Sequence, residues 1–265
     1  MKIKANGISV EYSVEGDAKD KRPWLVMSHS LAANWRMFEP QVRHLANRFR
    51  VIGYDTRGHG GSDAPAGEYT LDQLADDLKG LLDALNAREA HFLGLSMGGM
   101  IGQTFALKYP GRLKSLVLAD TTSGYGPEAP ALWQGRIKMA QERGMDSLAA
   151  PTLERWFTPA YREAQPDTIR RIGDMIRTTP VAGYVGCCHA ISKINLTAKL
   201  GGIRVPTLVI VGREDLGTPV AMAEAIHRGI AGSDLVVLDS AAHFANVEQA
   251  QGFNRALDAF YARAA

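Results

Sequence analysis

The sequence has few cysteines, no excess of either charge and no long apolar run, and each absence excludes a class of protein. Its two cysteines, Cys187 and Cys188, are adjacent, and neighbouring residues rarely form an unstrained disulfide. A fold held together by disulfides is therefore excluded. Residues 1–7 also lack the apolar core of a signal peptide, so we expect a protein of the cytoplasm.

The charges are balanced, which limits the possible partners. Lys and Arg total 30 and Asp and Glu total 28, with no basic run or stripe. This balance argues against nucleic acid or an anionic membrane as the main partner, and no apolar stretch approaches membrane-spanning length. The sequence contains no H-E-x-x-H, no cysteine–histidine ligand set and no G-x-G-x-x-G after a strand. We therefore expect no metal and no cofactor.

Short apolar runs alternate with helical patterns along most of the chain. Leucines recur at helical spacing over residues 70–85, where Thr70 is suited to the N-cap position. Asn6-Gly7 predicts a hairpin turn between strands at 3–4 and 8–14. Further strands are predicted at 24–28, 50–54, 91–94, 113–119, 207–211 and 235–238, and helices between 37 and 49, at 220–230 and at 247–261. The alternation predicts an α/β fold, with a mostly parallel sheet covered by helices on both faces.

The alternation is interrupted between about residues 126 and 198. This segment has helical patterns at 131–143, 148–157 and 181–191, and it has no strand run. We predict that it is a helical cap inserted into a core domain, whose two parts are residues 1–125 and 199–265. Ligands of open parallel sheets bind beyond the carboxyl ends of the strands. Such a cap would therefore cover the binding site.

The stretch G-L-S-M-G at residues 94–98 is the strongest indication of chemistry. It follows an apolar strand and precedes a helical pattern, which is the context of a nucleophile elbow. This tight turn holds a serine hydroxyl above the edge of the sheet, and its glycines avoid collisions with the neighbouring backbone. Ser96 is therefore the predicted nucleophile.

A serine needs a general base, and seven histidines compete for that role. In this kind of fold the chain order is nucleophile, acid and then histidine. The order excludes the histidines that precede Ser96, which are His29, His44, His59 and His91. His189 lies in the predicted cap and His227 inside a predicted helix. His243 follows the last predicted strand in a loop of small residues and is the predicted base.

The base in turn needs a carboxylate that holds its tautomer, and this acid is expected at the end of a strand. Asp215 follows the run 207–212 at the predicted carboxyl edge of the sheet. Asp120, which ends the run 113–119, is its rival, whereas Asp239 lies too near His243 in sequence to face it. Asp215 is the predicted acid.

The oxyanion of an acyl-transfer intermediate needs two N–H donors. One is the amide of Met97, which directly follows the nucleophile, and the second is expected from the loop after strand 24–28, with Leu31 as the candidate. The turn D-T-R-G-H-G at residues 55–60 is predicted to pack beneath the site.

The elbow, Asp215 and His243 resemble the α/β-hydrolase superfamily over the whole chain. The segments 56–86, 90–103, 211–219 and 243–249 resemble 3-oxoadipate enol-lactonases of aromatic-ring catabolism, and the cap segments 155–161 and 183–191 are similar to that family too. Enol-lactonases often carry Asn where this chain has His29. The resemblance implies Ser96, Asp215 and His243 as nucleophile, acid and base. It also implies hydrolysis of 3-oxoadipate enol-lactone to 3-oxoadipate.

The expected partner is a small-molecule ester or lactone, and an anionic lactone would need a cation in the pocket. Trp133, Arg136 and Trp156 are predicted to line that pocket, and Arg155 and Lys138 are further candidate cations. The alternative function is that of a short-chain carboxylesterase. Perhydrolysis and carbon–carbon bond hydrolysis use the same triad, and a non-catalytic ligand-binding protein of this fold is the alternative outside enzymes.

Overall fold

One sheet of eight strands organises the protein, as seen in a computed structural model that describes residues 1–16 and 21–264. The strands, in chain order, are β1 (Lys2–Ala5), β2 (Ile8–Glu15), β3 (Trp24–Ser28), β4 (Arg50–Tyr54), β5 (Ala90–Leu95), β6 (Leu113–Ala119), β7 (Thr207–Gly212) and β8 (Asp234–Leu238). Their order across the sheet is β1-β2-β4-β3-β5-β6-β7-β8. Strands β3 to β8 run parallel, and β1 and β2 form an antiparallel edge.

Helices cover the parallel part of this sheet. They are α1 (Glu39–Leu45), α2 (Leu71–Ala84), α3 (Met97–Lys108), α4 (Ala129–Arg143), α5 (Asp146–Trp156), α6 (Pro159–Ala164), α7 (Pro166–Thr178), α8 (Val181–Ser192), α9 (Val220–Gly229), α10 (Ala245–Glu248) and α11 (Ala250–Ala264). Every residue of β5 and β7 is buried, which requires cover on both faces of the sheet. The predicted α/β fold is confirmed.

The register of the sheet brings the functional loops together. Ser28 at the end of β3 pairs with Gly94 of β5, so the loop after β3 begins beside the turn that follows β5. The last residue of β6, Ala119, pairs with Ile210 of β7. Because these strands are parallel, all the loops that follow them lie at the same edge of the sheet.

The segment between β6 and β7 departs from the alternation of strand and helix. Residues 126–198 hold the five helices α4 to α8 and no strand. Two of these helices, α6 and α7, are absent from the sequence-based expectation. Both begin with a proline, Pro159 and Pro166, at the helix start where a proline loses no hydrogen bond. The proline-rich stretch therefore contains helix starts as well as breaks.

The other elements follow the predicted pattern with two differences. The Thr70 side chain caps α2 by accepting a hydrogen bond from the amide of Gln73. The helix expected between residues 37 and 49 is a 3-10 turn, Trp35–Phe38, followed by α1. The helix expected at 247–261 is divided into α10 and α11 by a break at Gln249, whose backbone is not helical.

Candidate active site

Ser96 occupies a strained turn between β5 and α3. Its φ of +57° and ψ of −117° lie in a region that residues with a side chain rarely adopt. Ser96 is partly exposed, whereas its neighbours Leu95 and Met97 are buried. Together with His243, it lines a cavity at this edge of the sheet. The strained backbone thus presents the hydroxyl to a cavity rather than to the core.

The glycines on either side of Ser96 permit this turn. A Cβ atom at Gly98 would lie 1.9 Å from the carbonyl oxygen of Ser28, and one at Gly94 would lie 2.3 Å from the carbonyl oxygen of Gly98. Both distances are far below any van der Waals contact, and the atoms approached are backbone atoms. The elbow therefore requires glycine at both positions, as the sequence predicted.

His243 and Asp215 are in direct contact. The Nδ1 atom of His243 lies 2.8 Å from Oδ2 of Asp215, and both residues are buried. An imidazole that donates from Nδ1 to a carboxylate keeps Nε2 free to accept a proton. The structure thus brings together the predicted acid and base.

Asp215 receives several further hydrogen bonds. The amides of Gly217 and Thr218 donate to its Oδ1 at 2.7 and 3.0 Å, and the Thr218 hydroxyl donates to Oδ2 at 2.6 Å. Burial alone raises the pKa of this carboxyl. The charge and hydrogen bond of His243 and the bonds from Thr218 outweigh burial, so the pKa of Asp215 lies below its ordinary value. Asp215 is therefore held as a carboxylate.

The rival residues have other partners. Asp120 accepts a hydrogen bond from the amide of Gly212 at 2.8 Å, and Asp239 pairs with Arg213 at the surface. Four histidines lie outside the site, where His44 pairs with Asp258, His91 with Ser115, His189 with Glu68 and His227 with Ser233. His29, the first residue of the loop that follows β3, and His59 are both buried and form hydrogen bonds to backbone atoms. His243 is the histidine that shares a cavity with Ser96.

The two predicted oxyanion donors lie at the same edge of the sheet. Leu31 lines the cavity that holds Ser96, and Met97 begins α3 directly after that serine. Within residues 1–16 and 21–264, the backbone N–H groups of Leu31 and Met97 donate to no protein acceptor. Two unpaired amides beside a serine hydroxyl are suited to bind an oxyanion.

The helices between β6 and β7 form much of the cavity wall. Trp133 and Arg136 of α4 and Trp156 of α5 line it, as do Arg155 of α5 and Tyr184 of α8. The ring of Trp156 stacks on Phe244, next to His243 in the chain. The remaining wall residues are mostly apolar, and none of them is an Asp or a Glu.

The two arginines of the wall form no salt bridge among the described residues. The guanidinium carbon of Arg136 lies 4.6 Å from the centroid of the Trp133 ring, and Arg155 donates to the hydroxyl of Thr152 at 3.1 Å. Lys138, the third candidate cation, is exposed and lies 3.9 Å from Glu142, outside the cavity wall. The wall of the cavity therefore carries two guanidinium groups and no carboxylate.

Two further side chains that sequence reasoning missed complete the surroundings. Thr218 follows Asp215 by three residues, a spacing at which a hydroxyl can return to a carboxylate, and this signal was available in the sequence. Glu248 accepts hydrogen bonds from the amides of Ala242 and Thr158. No sequence pattern indicated the role of Glu248, because Thr158 is distant from it in the chain.

The described ranges contain neither a metal-binding cluster nor a membrane-spanning helix. There, His, Cys, Asp and Glu side chains do not come together in threes as a metal ion would require. No helix among the described elements combines the length and apolar character needed to cross a bilayer.

Known proteins resemble this chain along almost its full length. Residues 23–250 match the family model of the α/β hydrolase fold. The chain is 38% identical to 3-oxoadipate enol-lactonase 2 of Acinetobacter baylyi, with 98% of this chain and 96% of that protein covered. Among solved structures, the enol-lactonase of Burkholderia xenovorans superposes with a TM-score of 0.96 at 38% identity, covering 99% of this chain and 100% of that one.

An esterase structure is similar as well. The thermophilic esterase of Thermogutta terrifontis, determined with malate bound, has a TM-score of 0.93 at 28% identity, covering 100% of this chain and 99% of that one. The predicted resemblance to enol-lactonases is confirmed. The match over residues 23–250, together with similarity to enol-lactonases along nearly the whole chain, shows that this protein belongs to the α/β-hydrolase family.

Proposed function

We propose that this protein is a serine hydrolase that opens a small carboxylated enol-lactone of the 3-oxoadipate type through an acyl-enzyme on Ser96. One observation carries the proposal. A single cavity is lined by Ser96, His243 and two arginines, and its wall contains no carboxylate. A nucleophile, its base and two guanidinium groups in one cavity suit an anionic ester or lactone.

Acylation begins with proton transfer from Ser96. His243, whose Nδ1 donates to Asp215 at 2.8 Å, accepts the serine proton on Nε2 while the serine oxygen attacks the lactone carbonyl. The amides of Leu31 and Met97 bind the oxyanion of the tetrahedral intermediate. Each such donor lowers the barrier by about 3 kcal/mol.

Collapse of the intermediate breaks the ring carbon–oxygen bond. The ring oxygen leaves as an enol that takes the proton from His243, and the enol then tautomerises to a ketone. His243 next removes a proton from water, which attacks the carbonyl of the acyl-enzyme. The bond between the acyl carbon and the Ser96 oxygen then breaks, the serine takes the proton back from His243, and the released acid ionises to the second carboxylate of the product. The carboxylate of Asp215, kept ionised by its low pKa, stabilises the imidazolium in both steps.

The cavity supports an anionic substrate class. A carboxylate bound there would pair with the guanidinium groups of Arg136 and Arg155, which form no salt bridge among the described residues. The indole N–H of Trp133 is buried and has no acceptor within the described part of the chain. A buried donor without a partner is costly, so a substrate oxygen is a suitable acceptor for it. In this proposal residues 126–198 act as the cap that supplies all three groups.

The relatives support the same substrate class. Two proteins of Acinetobacter baylyi named 3-oxoadipate enol-lactonase are 38% and 33% identical to this chain over most of its length. The enol-lactonase of Burkholderia xenovorans has nearly the same fold along the whole chain.

A short-chain carboxylesterase is the second candidate function. It is favoured by the esterase of Thermogutta terrifontis, whose fold superposes at a TM-score of 0.93, and by the apolar side chains Leu132, Met100 and Ile176 of the cavity wall. A neutral acyl ester, however, has no charged group that the two arginines could bind.

The test compares two substrates and one variant. We expect kcat/KM on 3-oxoadipate enol-lactone to exceed that on p-nitrophenyl acetate by a large factor, and Ser96→Ala to abolish both activities while the variant still folds. A clear preference for p-nitrophenyl acetate would favour the esterase. Substantial turnover by Ser96→Ala would show that the nucleophile is another group.

A further inference from the structure

Two buried imidazoles hold the loop that carries Leu31: His29 is the first residue of this loop, and His59 belongs to the turn at residues 55–60. Their ring centroids are 5.2 Å apart and neither ring is exposed. The proposed mechanism does not use them. Both form hydrogen bonds to backbone atoms on either side of Leu31, so their positions are relevant to the oxyanion donor.

The hydrogen bonds determine where each imidazole carries its proton. The amides of Thr56 and Ala32 can only donate, and they point at Nε2 of His29 and Nε2 of His59, each at 2.9 Å. Both Nε2 atoms are therefore acceptors, and both protons reside on Nδ1. Nδ1 of His29 then donates to the carbonyl of Ser30 at 2.7 Å.

The carbonyl of Ser30 belongs to the same peptide group as the N–H of Leu31. A hydrogen bond to that carbonyl fixes the plane of the peptide and hence the direction of its N–H. A carbonyl that accepts a hydrogen bond also polarises its peptide, which makes the N–H a stronger donor. The amide of Ala33 also donates to this carbonyl, at 3.2 Å, so His29 supplies one of two bonds that hold the peptide.

His59 holds the following peptide, and Thr56 connects the two rings. Ala32, whose amide donates to His59, has a φ of +59°, which is strained for a residue with a side chain. The hydroxyl of Thr56 lies 3.1 Å from Nε2 of His29 and 3.4 Å from Nδ1 of His59. Nδ1 of His59 also lies 3.3 Å from the carbonyl of Arg57. The peptides before and after Leu31 are thus each held by one imidazole.

We infer that His29 is a positioning residue of the oxyanion hole, which aims and polarises the Leu31 N–H through the carbonyl of Ser30, with Thr56 and His59 holding the loop from its other side. This inference rests on the proposed Ser96 chemistry. Both rings must be neutral, because an imidazolium has no acceptor for the amides of Ala32 and Thr56. Burial lowers the pKa of His29 to about 4 and that of His59 to about 3, which keeps both rings neutral near pH 7.

The test separates the Nδ1–H donor from the bulk of the ring. His29→Asn places an amide N–H at the position of Nδ1, whereas His29→Leu has a similar size and no donor. We expect His29→Asn to keep kcat/KM on p-nitrophenyl acetate within about threefold, and His29→Leu to lose about 10- to 100-fold, since the donor it affects acts in the transition state. Inhibition by phenylboronic acid, which forms a tetrahedral adduct on serine, should weaken in parallel.

The controls distinguish a loss of catalysis from unfolding and from background hydrolysis. All activities are measured well below the melting temperature of each variant, and Ser96→Ala serves as the blank. Equal losses in His29→Asn and His29→Leu, or wild-type activity in His29→Leu, would overturn the inference while the proposed function stands. Turnover that persists in Ser96→Ala would overturn both.

A second measurement needs no variant. Nitrogen-15 spectra of the wild-type imidazoles should show Nδ1–H tautomers for both His29 and His59. A proton on Nε2 of His29 would contradict the inference even if His29→Leu does not fold.

Discussion

Asp215 reaches His243 from the end of β7 with an oxygen–nitrogen distance of 2.8 Å, although another carboxyl group ends the neighbouring strand. That other group, Asp120 after β6, is fully buried and lies against the backbone amides of Gly212 and Ala245. Burial, together with the negative charge of Asp215, raises the pKa of Asp120 well above its ordinary value. The environment of Asp215 therefore favours the ionised carboxylate, whereas that of Asp120 favours the neutral acid.

Replacement of each carboxyl by its amide should distinguish the contributions of Asp215 and Asp120 to catalysis. Asp215→Asn presents the wrong group to His243 and should lower kcat by about four orders of magnitude. Asp120→Asn keeps an acceptor for the amide of Gly212 and introduces no charge, so its kcat should stay near that of the wild type. Steady-state kinetics on the same ester or lactone measures both.

The paired variants control for each other, because the chemical change is the same in both. Circular dichroism and the unfolding free energy should show that both variants are folded. A loss of only about tenfold in Asp215→Asn with a large loss in Asp120→Asn would assign the acid to Asp120 instead.

Local patterns predicted those parts of the structure that local physics determines. The leucine spacing after Thr70 gave the boundaries of α2 closely, since an amphipathic helix and its N-cap are both encoded in neighbouring residues. The order of Ser96, Asp215 and His243 sufficed to select two residues that are in contact, because the order of strands dictates which loops meet.

Local patterns did not predict contacts between segments that are distant in the chain. The hydrogen bonds of His29 and His59 join the turn at residues 55–60 to the loop after β3. The sequence predicted only that this turn packs below the site. The sequence also did not determine which side chains of α4 and α5 face the cavity. Arg136 and Arg155 line the cavity whereas Lys138 does not, a difference set by how α4 and α5 pack against the core.

Loss of either arginine of the cavity wall should affect an anionic substrate selectively. Arg136→Gln and Arg155→Gln each remove a guanidinium group that forms no salt bridge among the described residues. A charge-assisted hydrogen bond contributes about 1.5–3 kcal/mol, so kcat/KM on the enol-lactone should fall by about 10- to 100-fold for each variant. Activity on p-nitrophenyl acetate, which carries no carboxylate, should change little.

Lys138→Gln is the matched control, since it removes an exposed cation of the same helix as Arg136 outside the cavity wall. It should leave both activities unchanged. Equal losses on the two substrates in the arginine variants would indicate that these residues support the packing of α4 and α5 rather than bind a carboxylate.

Glu248 should prove important for stability because it joins two segments. Its Oε2 accepts from the amide of Ala242 at 2.9 Å, and its Oε1 accepts from the amide of Thr158 at 3.1 Å and from the Thr158 hydroxyl. Glu248→Gln places an amide NH2 against one of these donors. A buried donor left without an acceptor costs about 1–3 kcal/mol, which urea unfolding would detect.

The control for this variant is Glu163→Gln, which makes the same chemical change at an exposed position of α6. It should leave the unfolding free energy within about 0.5 kcal/mol of the wild type. Because Ala242 precedes His243, Glu248→Gln should also lower kcat. An unchanged stability in Glu248→Gln would mean that water or a local shift replaces the lost acceptor.

Stability should decrease with acid because two buried histidines, His29 and His59, must be neutral in the folded protein. Burial lowers the pKa of His29 to about 4 from an ordinary value of 6.5. Between these two pH values the unfolded chain binds more protons than the folded one. The stabilisation is therefore complete above the ordinary pKa and is lost as the pH falls towards about 4.

His29→Asn removes one of these titrating groups and should make the dependence on pH weaker. Its unfolding free energy should fall less steeply with acid than that of the wild type, by up to about 1.4 kcal/mol per pH unit. Urea unfolding at a series of pH values from about 7 to about 4.5 measures the two slopes. Asp120, whose raised pKa acts in the opposite direction, contributes equally to both proteins and cancels in the comparison. Identical slopes would mean that His29 has the same pKa in the folded and the unfolded chain, and would contradict the lowered pKa.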